Sequence, residues 1–384
     1  MRGACRPERL RRTRAVHSCS RTRGARKRRN NAMTALDHLS RLRRRPELRS
    51  ARRALTIGLV NNMGDEALKV TERQFAQLIS LSAGDVDVRL RLFALKHTPR
   101  SPRALEFIAA RYEPVSSAMD GELDALIITG AQPRAARLDQ EPYWEELIEL
   151  IDWAKEHTAS TILSCLAAHA GVLHLDGIER RPLPEKCTGV FAFQAQWDHP
   201  LAGEKRRVSV MPHSRYNGLL QSDLESAGYH VLTSSPVHGV DNFAKSFGAQ
   251  FVFLQGHPEY EANSLAKEYR RDMGSYLRGE TDKRPARPKG YFAPEAEIEL
   301  RLMERRPCED SGRQVMEDLS KIEALAPTEA PWRDAAISFY RSWIETILAS
   351  SRCGSTNAPE AALRIFEDLS GRNDAHSALR IAPS

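Results

Sequence analysis

Two hydrophobic periods alternate along this chain: apolar runs of strand length, and stretches in which apolar positions recur every three or four residues. Residues 54–60, ALTIGLV, predict a buried strand ended by Asn61 and Asn62. The spacing of Val70, Phe75, Leu78 and Ile79 predicts a helix over 70–81, with Thr71 in its early turns. Residues 86–95, VDVRLRLFAL, alternate strongly and predict a second strand, and 123–129, LDALIIT, a third, closed by Gly130. Pro142 suits a first helical turn, after which Trp144, Leu147, Ile148 and Ile151 make one apolar stripe. Residues 160–164, STILS, predict a fourth strand. Cys165 follows it directly, and LAAHAGVLHL (166–175) predicts a helix that stops before Gly177. Further strands are expected at 206–211, 228–235 and 249–256, and a charged helix at 262–278. Strands alternating with helices across short loops predict an α/β fold, a mostly parallel sheet covered on both faces.

Residues 281–310 are rich in Pro, Arg, Lys and Glu and are expected to form a linker or surface wrap. A late helix is expected over 331–348, with Trp332, Ala336, Phe339, Trp343 and Ile347 close to one face. That stripe is expected to pack on the main domain; the sharper reading is a dimer contact. The organisation is then a basic tail over 1–32, an amino-terminal arm over 33–53, a catalytic domain over 54–280, a wrap and helix over 281–350, and a mobile tail over 351–384 with one short helix near 359–369.

Net charge is +7, and residues 1–32 alone hold eleven Arg and one Lys against Glu8, or +11, leaving 7 − 11 = −4 for the rest. The basicity belongs to the tail and not to the fold, so nucleic acid is not the expected partner. The tail lacks the apolar segment of a secretory signal, and Met33 would serve as a start for an ordinary sequence. No apolar run approaches the roughly 18 residues of a membrane span. The six cysteines, Cys5, Cys19, Cys165, Cys187, Cys308 and Cys353, form no C-x-x-C pair, which disfavours a disulfide framework or a metal site and suits a reducing, cytoplasmic compartment.

Cys165 stands between a strand and a helix rich in small residues, Ala167, Ala168, Ala170 and Gly171. This is the strand–nucleophile–helix turn of nucleophile elbows. A thiol there meets the helix dipole and free N–H groups that stabilise thiolate. The backbone of Leu166 is then the candidate oxyanion donor, completed by the N–H of Gly130 or Ala131 in TGAQPR. A lone Cys after a strand is more often a small buried apolar residue, so partners must decide. His257 lies on a Gly-His-Pro turn beyond an apolar strand, and Glu259, two residues on, projects to the same side. A carboxylate there can hold the imidazole in the tautomer that accepts the thiol proton.

The order TGA, a Trp-containing helix, STILSC, EK-x-x-GV, MPHSRY, GHPEY and EYRRD resembles the homoserine O-acyltransferase family of the glutamine-amidotransferase-like type, over about residues 54–350. The resemblance implies a class I glutamine-amidotransferase-like, flavodoxin-like α/β fold. It implies a succinyl or acetyl group carried as a thioester on Cys165 to the hydroxyl of homoserine in methionine biosynthesis, with His257 and Glu259 completing the site. It also implies substrate contacts at Lys186, Ser214 and Arg271, acyl-CoA as co-substrate without a bound cofactor, and a homodimer. Lys and Arg suit an α-carboxylate or a coenzyme phosphate. The chain departs from the family in three places. After the first strand, Lys69 in NNMGDEALKVTERQF is out of register. The position that tunes donor choice, usually Gly or Glu, is Arg134, which would pair with a succinyl carboxylate. The tail and residues 281–310 follow the family loosely.

Serine is the alternative acceptor. Glutamine or γ-glutamyl hydrolysis is the alternative reaction, but SCLAAHAG lacks the G-x-C-x-G of amidotransferases. A non-catalytic scaffold or RNA-binding protein is the remaining reading, and the joint presence of Cys165, His257 and Glu259 counts against it.

Overall fold

Strand β1 (Leu55–Val60) leads into helix α1 (Asp65–Ser82), then β2 (Val88–Ala94), α2 (Pro102–Arg111), the two-residue β3 (Glu113–Pro114) and β4 (Ala125–Ile128). Helix α3 (Trp144–His157), β5 (Ser160–Ser164) and α4 (Leu166–Asp176) follow. The chain then enters β6 (Arg181–Ala195), β7 (Val208–Gly218), β8 (His230–Ser235), β9 (Gly239–Phe247) and β10 (Ala249–Leu254), and ends in α5 (Ser264–Leu277), α6 (Pro294–Glu304) and α7 (Arg333–Arg352). This computed structural model describes residues 54–195, 199, 201, 208–304, 317, 320–321 and 323–352, all within the compact unit Thr34–Ser384. The expectations for 1–32, for the arm at 33–53 and for the tail and short helix beyond 352 lie outside the described residues.

One ten-stranded sheet organises these elements, in the order β3-β2-β1-β4-β5-β10-β9-β8-β6-β7. The strands from β3 to β10 run parallel, and those from β10 to β7 pair antiparallel. Between β1 and β4 the winding reverses, the switch at which open α/β sheets place their ligand crevice. Strands β4, β5 and β10 are buried at every position, as strands covered on both faces must be. Ile57, Ile127, Ile162 and Val252 face a layer made by α1 and α7, through Phe75, Leu78, Tyr340 and Trp343. Ile128, Leu163 and Phe253 face the opposite layer, made by α3 and α4, through Leu147, Ile151 and Ala168. Alternation along each strand thus builds two cores from one sheet.

Several boundaries differ from expectation for readable reasons. The first helix begins at Asp65 rather than 70, burying Leu68 one turn earlier. Helix α2 is new: Ser101 caps it by accepting from the Ala104 amide at 3.3 Å, and Pro102 opens it. It is short, burying Ala104 with Phe107 and Ile108 only partly covered while Leu105 stays exposed, and was not expected from the sequence. Strands β6 and β9 were hidden by Pro182, Pro184 and the buried polar pair Asp241 and Asn242. The strand expected at 206–211 runs over Val208–Gly218, extended by its long pairing with β6. Of the segment expected as a linker or wrap, the described residues 281–304 contain α6, which buries Ala296 and Leu300.

The stripe of α7 is buried within the chain itself: Trp332, Ala336, Trp343 and Ile347 have no exposed surface, and Phe339 very little. The main-domain reading therefore holds, and the stripe is not available as a dimer contact. Trp343 donates its Nε1 hydrogen to Ser160 Oγ at 2.8 Å, tying α7 to the strand that carries Cys165. Among the described residues no helix is long and apolar enough to cross a membrane. Truncation of this anchor, Trp343→Ala, should cost about 3–5 kcal/mol of unfolding free energy. Trp343→Phe keeps most of the apolar contact and loses one hydrogen bond, an expected cost of about 1–2 kcal/mol. Urea denaturation read by circular dichroism checks both, and equal midpoints for wild type and Trp343→Ala would contradict the packing described.

Candidate active site

Parallel register decides which residues meet. Ile128 pairs with Leu163, and Ser164 with Leu254, so β4, β5 and β10 end at one edge of the sheet. Gly130, Cys165 and His257 leave from that edge. The amide of Cys165 still belongs to the sheet, donating to Leu254 O at 2.6 Å, while its carbonyl already accepts from Ala168 N at 3.0 Å in the first turn of α4. One residue must reverse the chain. Cys165 does so at φ 54, ψ −114, and among the described residues it alone has a positive φ without being glycine. Such a conformation costs about 1–3 kcal/mol and persists where the surroundings impose it. The small face of α4 makes this possible: a Cβ on Gly171 would lie 2.4 Å from Leu163 Cδ1.

A Cβ on Gly130 would lie 2.8 Å from Leu166 N, so the β4 loop presses against the first amide of α4. Among the described residues the amides of Gly130, Ala131 and Leu166 have no backbone acceptor in the turns, loops and caps. They are free to meet a developing oxyanion.

His257 follows β10 into the same volume, and its ring is electrostatically coupled to Cys165. The other side of the ring is held by Glu259: Nδ1 donates to Oε1 at 2.8 Å, which leaves Nε2 for the sulfur. Both His257 and Glu259 are buried. Burial works to lower the His257 pKa, but the charges of Cys165 and Glu259, with their hydrogen bonds, outweigh it and hold the imidazole well above its ordinary value. Tyr260 stacks on the same ring at 4.2 Å between centroids, and its hydroxyl donates to Glu268 Oε1 at 2.5 Å.

The turn that presents His257 is braced from behind. Its amide donates to Pro212 O at 2.9 Å. A Cβ on Gly256 would lie 2.6 Å from Asp241 Oδ1 and 2.9 Å from His213 Nε2, so only glycine fits. His213 and Asp241 are themselves buried and 3.1 Å apart. Trp332 Nε1 and Arg333 Nη2 both donate to Tyr260 O at 3.0 Å, so α7 also pins this turn.

The remaining candidates divide into two groups. Lys186 on β6 and Arg271 on α5 converge on Asp272: Lys186 Nζ lies 2.5 Å from Oδ2, and Arg271 Nη2 lies 2.7 Å from Oδ1. Glu268 also lies in electrostatic range of Arg271. Ser214 sits half-buried in β7, paired with Thr188 of β6. Arg134 stands apart, exposed on the β4 loop. Its amide and that of Ala135 donate to Glu141 Oε1 at 2.7 and 2.8 Å, and its guanidinium lies in electrostatic range of Asp65. Lys69, set aside on register, lies over the Phe107 ring at 4.5 Å.

Motif reading missed Asp272, Tyr260, the His213–Asp241 pair and His169. Asp272 and Tyr260 sit inside the motifs EYRRD and GHPEY, so their presence was legible and their roles were not. His169 is buried in α4, with Nε2 at 2.9 Å from Gln255 Oε1. Burial, with the charges of Arg215 and Arg180, pushes it down to about 4.

Comparison with known proteins follows the same lines. The family model described as homoserine O-succinyltransferase matches residues 30–352. A homoserine O-succinyltransferase of Rhodopseudomonas palustris is 45% identical over 303 residues, covering 78% of this chain and 90% of that protein. One of Methylorubrum extorquens is 45% identical over 296 residues, covering 77% and 88%. One of Thiothrix nivea is 38% identical over 295 residues, covering 76% and 82%. Among solved structures, a glutamine amidotransferase of Thermotoga maritima superposes at a TM-score of 0.41 and 12% identity, covering 77% of this chain and 99% of its own. The CTPS glutaminase domain of Trypanosoma brucei superposes at 0.39 and 14% identity, covering 54% and 86%.

The buried imidazoles of His257 and His169 predict opposite pH dependences. His257 binds its proton more tightly folded than unfolded, so its contribution is full below pH 6.5 and is lost as pH rises through its raised folded value. His169 binds its proton less tightly folded, so its contribution is present above pH 6.5 and is lost as pH falls towards 4. Thermal unfolding of wild type and His169→Gln between pH 7 and pH 4 should show a shallower acid decline in the variant. Parallel declines would mean that His169 is not held neutral.

Proposed function

The chain belongs to the homoserine O-succinyltransferase family, and we propose from that premise that Cys165 carries a succinyl group from succinyl-CoA to the hydroxyl of homoserine. The observation that carries this reading is the coupled run Cys165–His257–Glu259 at the edge of the sheet, with the thiol on a strained turn beside free amides.

In the first half-reaction His257 Nε2 holds the thiol proton, and the sulfur attacks the thioester carbonyl of the donor. Negative charge develops on the carbonyl oxygen, where the Leu166 amide and that of Gly130 or Ala131 can donate. The intermediate collapses to a Cys165 thioester, and CoA leaves as a thiol with the proton returned from Nε2. In the second half-reaction the homoserine hydroxyl gives its proton to Nε2 and attacks the thioester. Collapse then releases O-succinylhomoserine and restores Cys165. Glu259 keeps Nδ1 protonated throughout, so that Nε2 is the nitrogen that exchanges the proton. The α-carboxylate of homoserine meets the Lys186 and Arg271 cations that converge on Asp272, with Ser214 as a hydroxyl contact.

Intact mass spectrometry after mixing with succinyl-CoA, without homoserine, should record one added succinyl group on wild type and none on Cys165→Ala. Glu259→Gln should fold normally by circular dichroism and lose about 100- to 10,000-fold in kcat. Turnover by Cys165→Ala within tenfold of wild type would refute covalent catalysis.

A further inference from the structure

Most guanidinium and ammonium groups around the site are committed to the protein itself. Lys186 and Arg271 share Asp272. Arg215 donates to Asn217 O and His238 O, and Arg333 to Tyr260 O. Arg180 differs. It lies in the short segment between α4 and β6, half-buried, and among the described residues its guanidinium has no hydrogen bond or ion pair. Its electrostatic neighbours are Tyr143, Glu141 and the nucleophile Cys165 itself.

The surroundings of Arg180 are short of partners too. The Tyr143 hydroxyl and Glu141 Oε2 are buried without a hydrogen bond, as is Nδ1 of His169, which also feels the charge of Arg180. Glu141 cannot swing to neutralise Arg180 without releasing the amides of Arg134 and Ala135, which its Oε1 accepts. A half-buried cation without an ion pair is costly, and burial pushes Arg180 below its ordinary value although Glu141 lies in electrostatic range. The arrangement is suited to an anion that arrives with the substrate.

We propose that Arg180 binds the distal carboxylate of the acyl group that Cys165 receives, with the Tyr143 hydroxyl as a second donor, and so selects a dicarboxylic acyl donor over a neutral one. In a succinyl thioester the distal carboxylate carbon lies roughly 5 Å from the sulfur when extended. A guanidinium that feels the charge of that sulfur is placed to attract such a carboxylate, and its planar fork matches two carboxylate oxygens. The acceptor's carboxylate is provided for elsewhere, on the Lys186–Arg271–Asp272 cluster, which belongs to other elements. Arg134 is exposed on the β4 loop, in electrostatic range of Asp65, so this assignment moves donor selection from Arg134 to Arg180. The inference rests on the acyl-transfer reading above.

The test isolates the first half-reaction. Thioester formation on Cys165 is followed by rapid-quench mass spectrometry with succinyl-CoA and with butyryl-CoA, which has the same chain length without the carboxylate. Wild type, Arg180→Met, Arg180→Lys and Arg134→Ala are compared, each checked for folding by circular dichroism. Arg180→Met should lower the acylation rate constant with succinyl-CoA about 10- to 100-fold, lower the succinyl-to-butyryl ratio by at least tenfold, and leave the KM for homoserine within about threefold. Arg180→Lys should restore part of the ratio. An unchanged ratio in Arg180→Met would overturn the proposal. So would normal acylation with a raised homoserine KM, or a loss of the ratio in Arg134→Ala alone. Failure of wild type to form any thioester would instead overturn the acyl-transfer reading on which the inference rests.

Discussion

The whole site depends on one constraint: the shared register of three parallel buried strands. Because β4, β5 and β10 end together, the residues that leave them are forced into one small volume. Cys165 bears the consequence most directly, since its amide is the last donor of the strand and its carbonyl the first acceptor of the helix. No ordinary backbone conformation joins those two roles across one residue. The positive φ of Cys165 is therefore imposed by the ladder on one side and by the packing of α4 on β5 on the other. The same geometry turns the thiol outwards and brings the Leu166 amide beside Gly130.

Electrostatics then builds on that scaffold. Burying His257 alone would favour its neutral form, yet it stands between Glu259 and the thiol, and the two together raise its proton affinity. Glu259 is buried with one oxygen lacking a hydrogen-bond partner, a cost the fold accepts at a place where the ring must not rotate. The brace behind the turn explains how it is accepted. His213, Asp241 and Gly256 are packed too closely for another side chain, and Trp332 and Arg333 hold Tyr260 O from the carboxyl-terminal helix. A helix late in the sequence is thus part of what positions the base.

Much of the architecture was legible before any coordinates. Continuous apolar runs identified β1, β4, β5 and β10, because strands buried on both faces need no polar alternation. The stripes at Trp144–Ile151 and Trp332–Ile347 identified α3 and α7. The elements missed share a cause: α2 buries one residue only, β6 opens on two prolines, and β9 carries Asp241 and Asn242 into the interior. Their stability comes from pairing partners and not from their own pattern. Cys165, His257 and Glu259 were legible as candidates, since residue type, flanking glycines and position after apolar strands are all local properties. That Lys186 and Arg271 share Asp272 was not, because residues 86 and 85 positions apart in the chain meet only through the fold.

By itself, then, the order of residues determined the α/β class, the thiol at a strand–helix junction, the Gly-His-Pro-Glu turn, and the depth of each core strand. These follow from side-chain chemistry and from periods of two and 3.6 residues, which need no knowledge of distant contacts. Tertiary structure alone decided which amide faces which oxygen, that the α7 stripe is consumed inside its own chain, and that Arg180 comes into electrostatic range of the nucleophile. The physical reason is that charge interactions and burial depend on separation in space, and separation in space is set by sheet order and register, which no local stretch of sequence encodes.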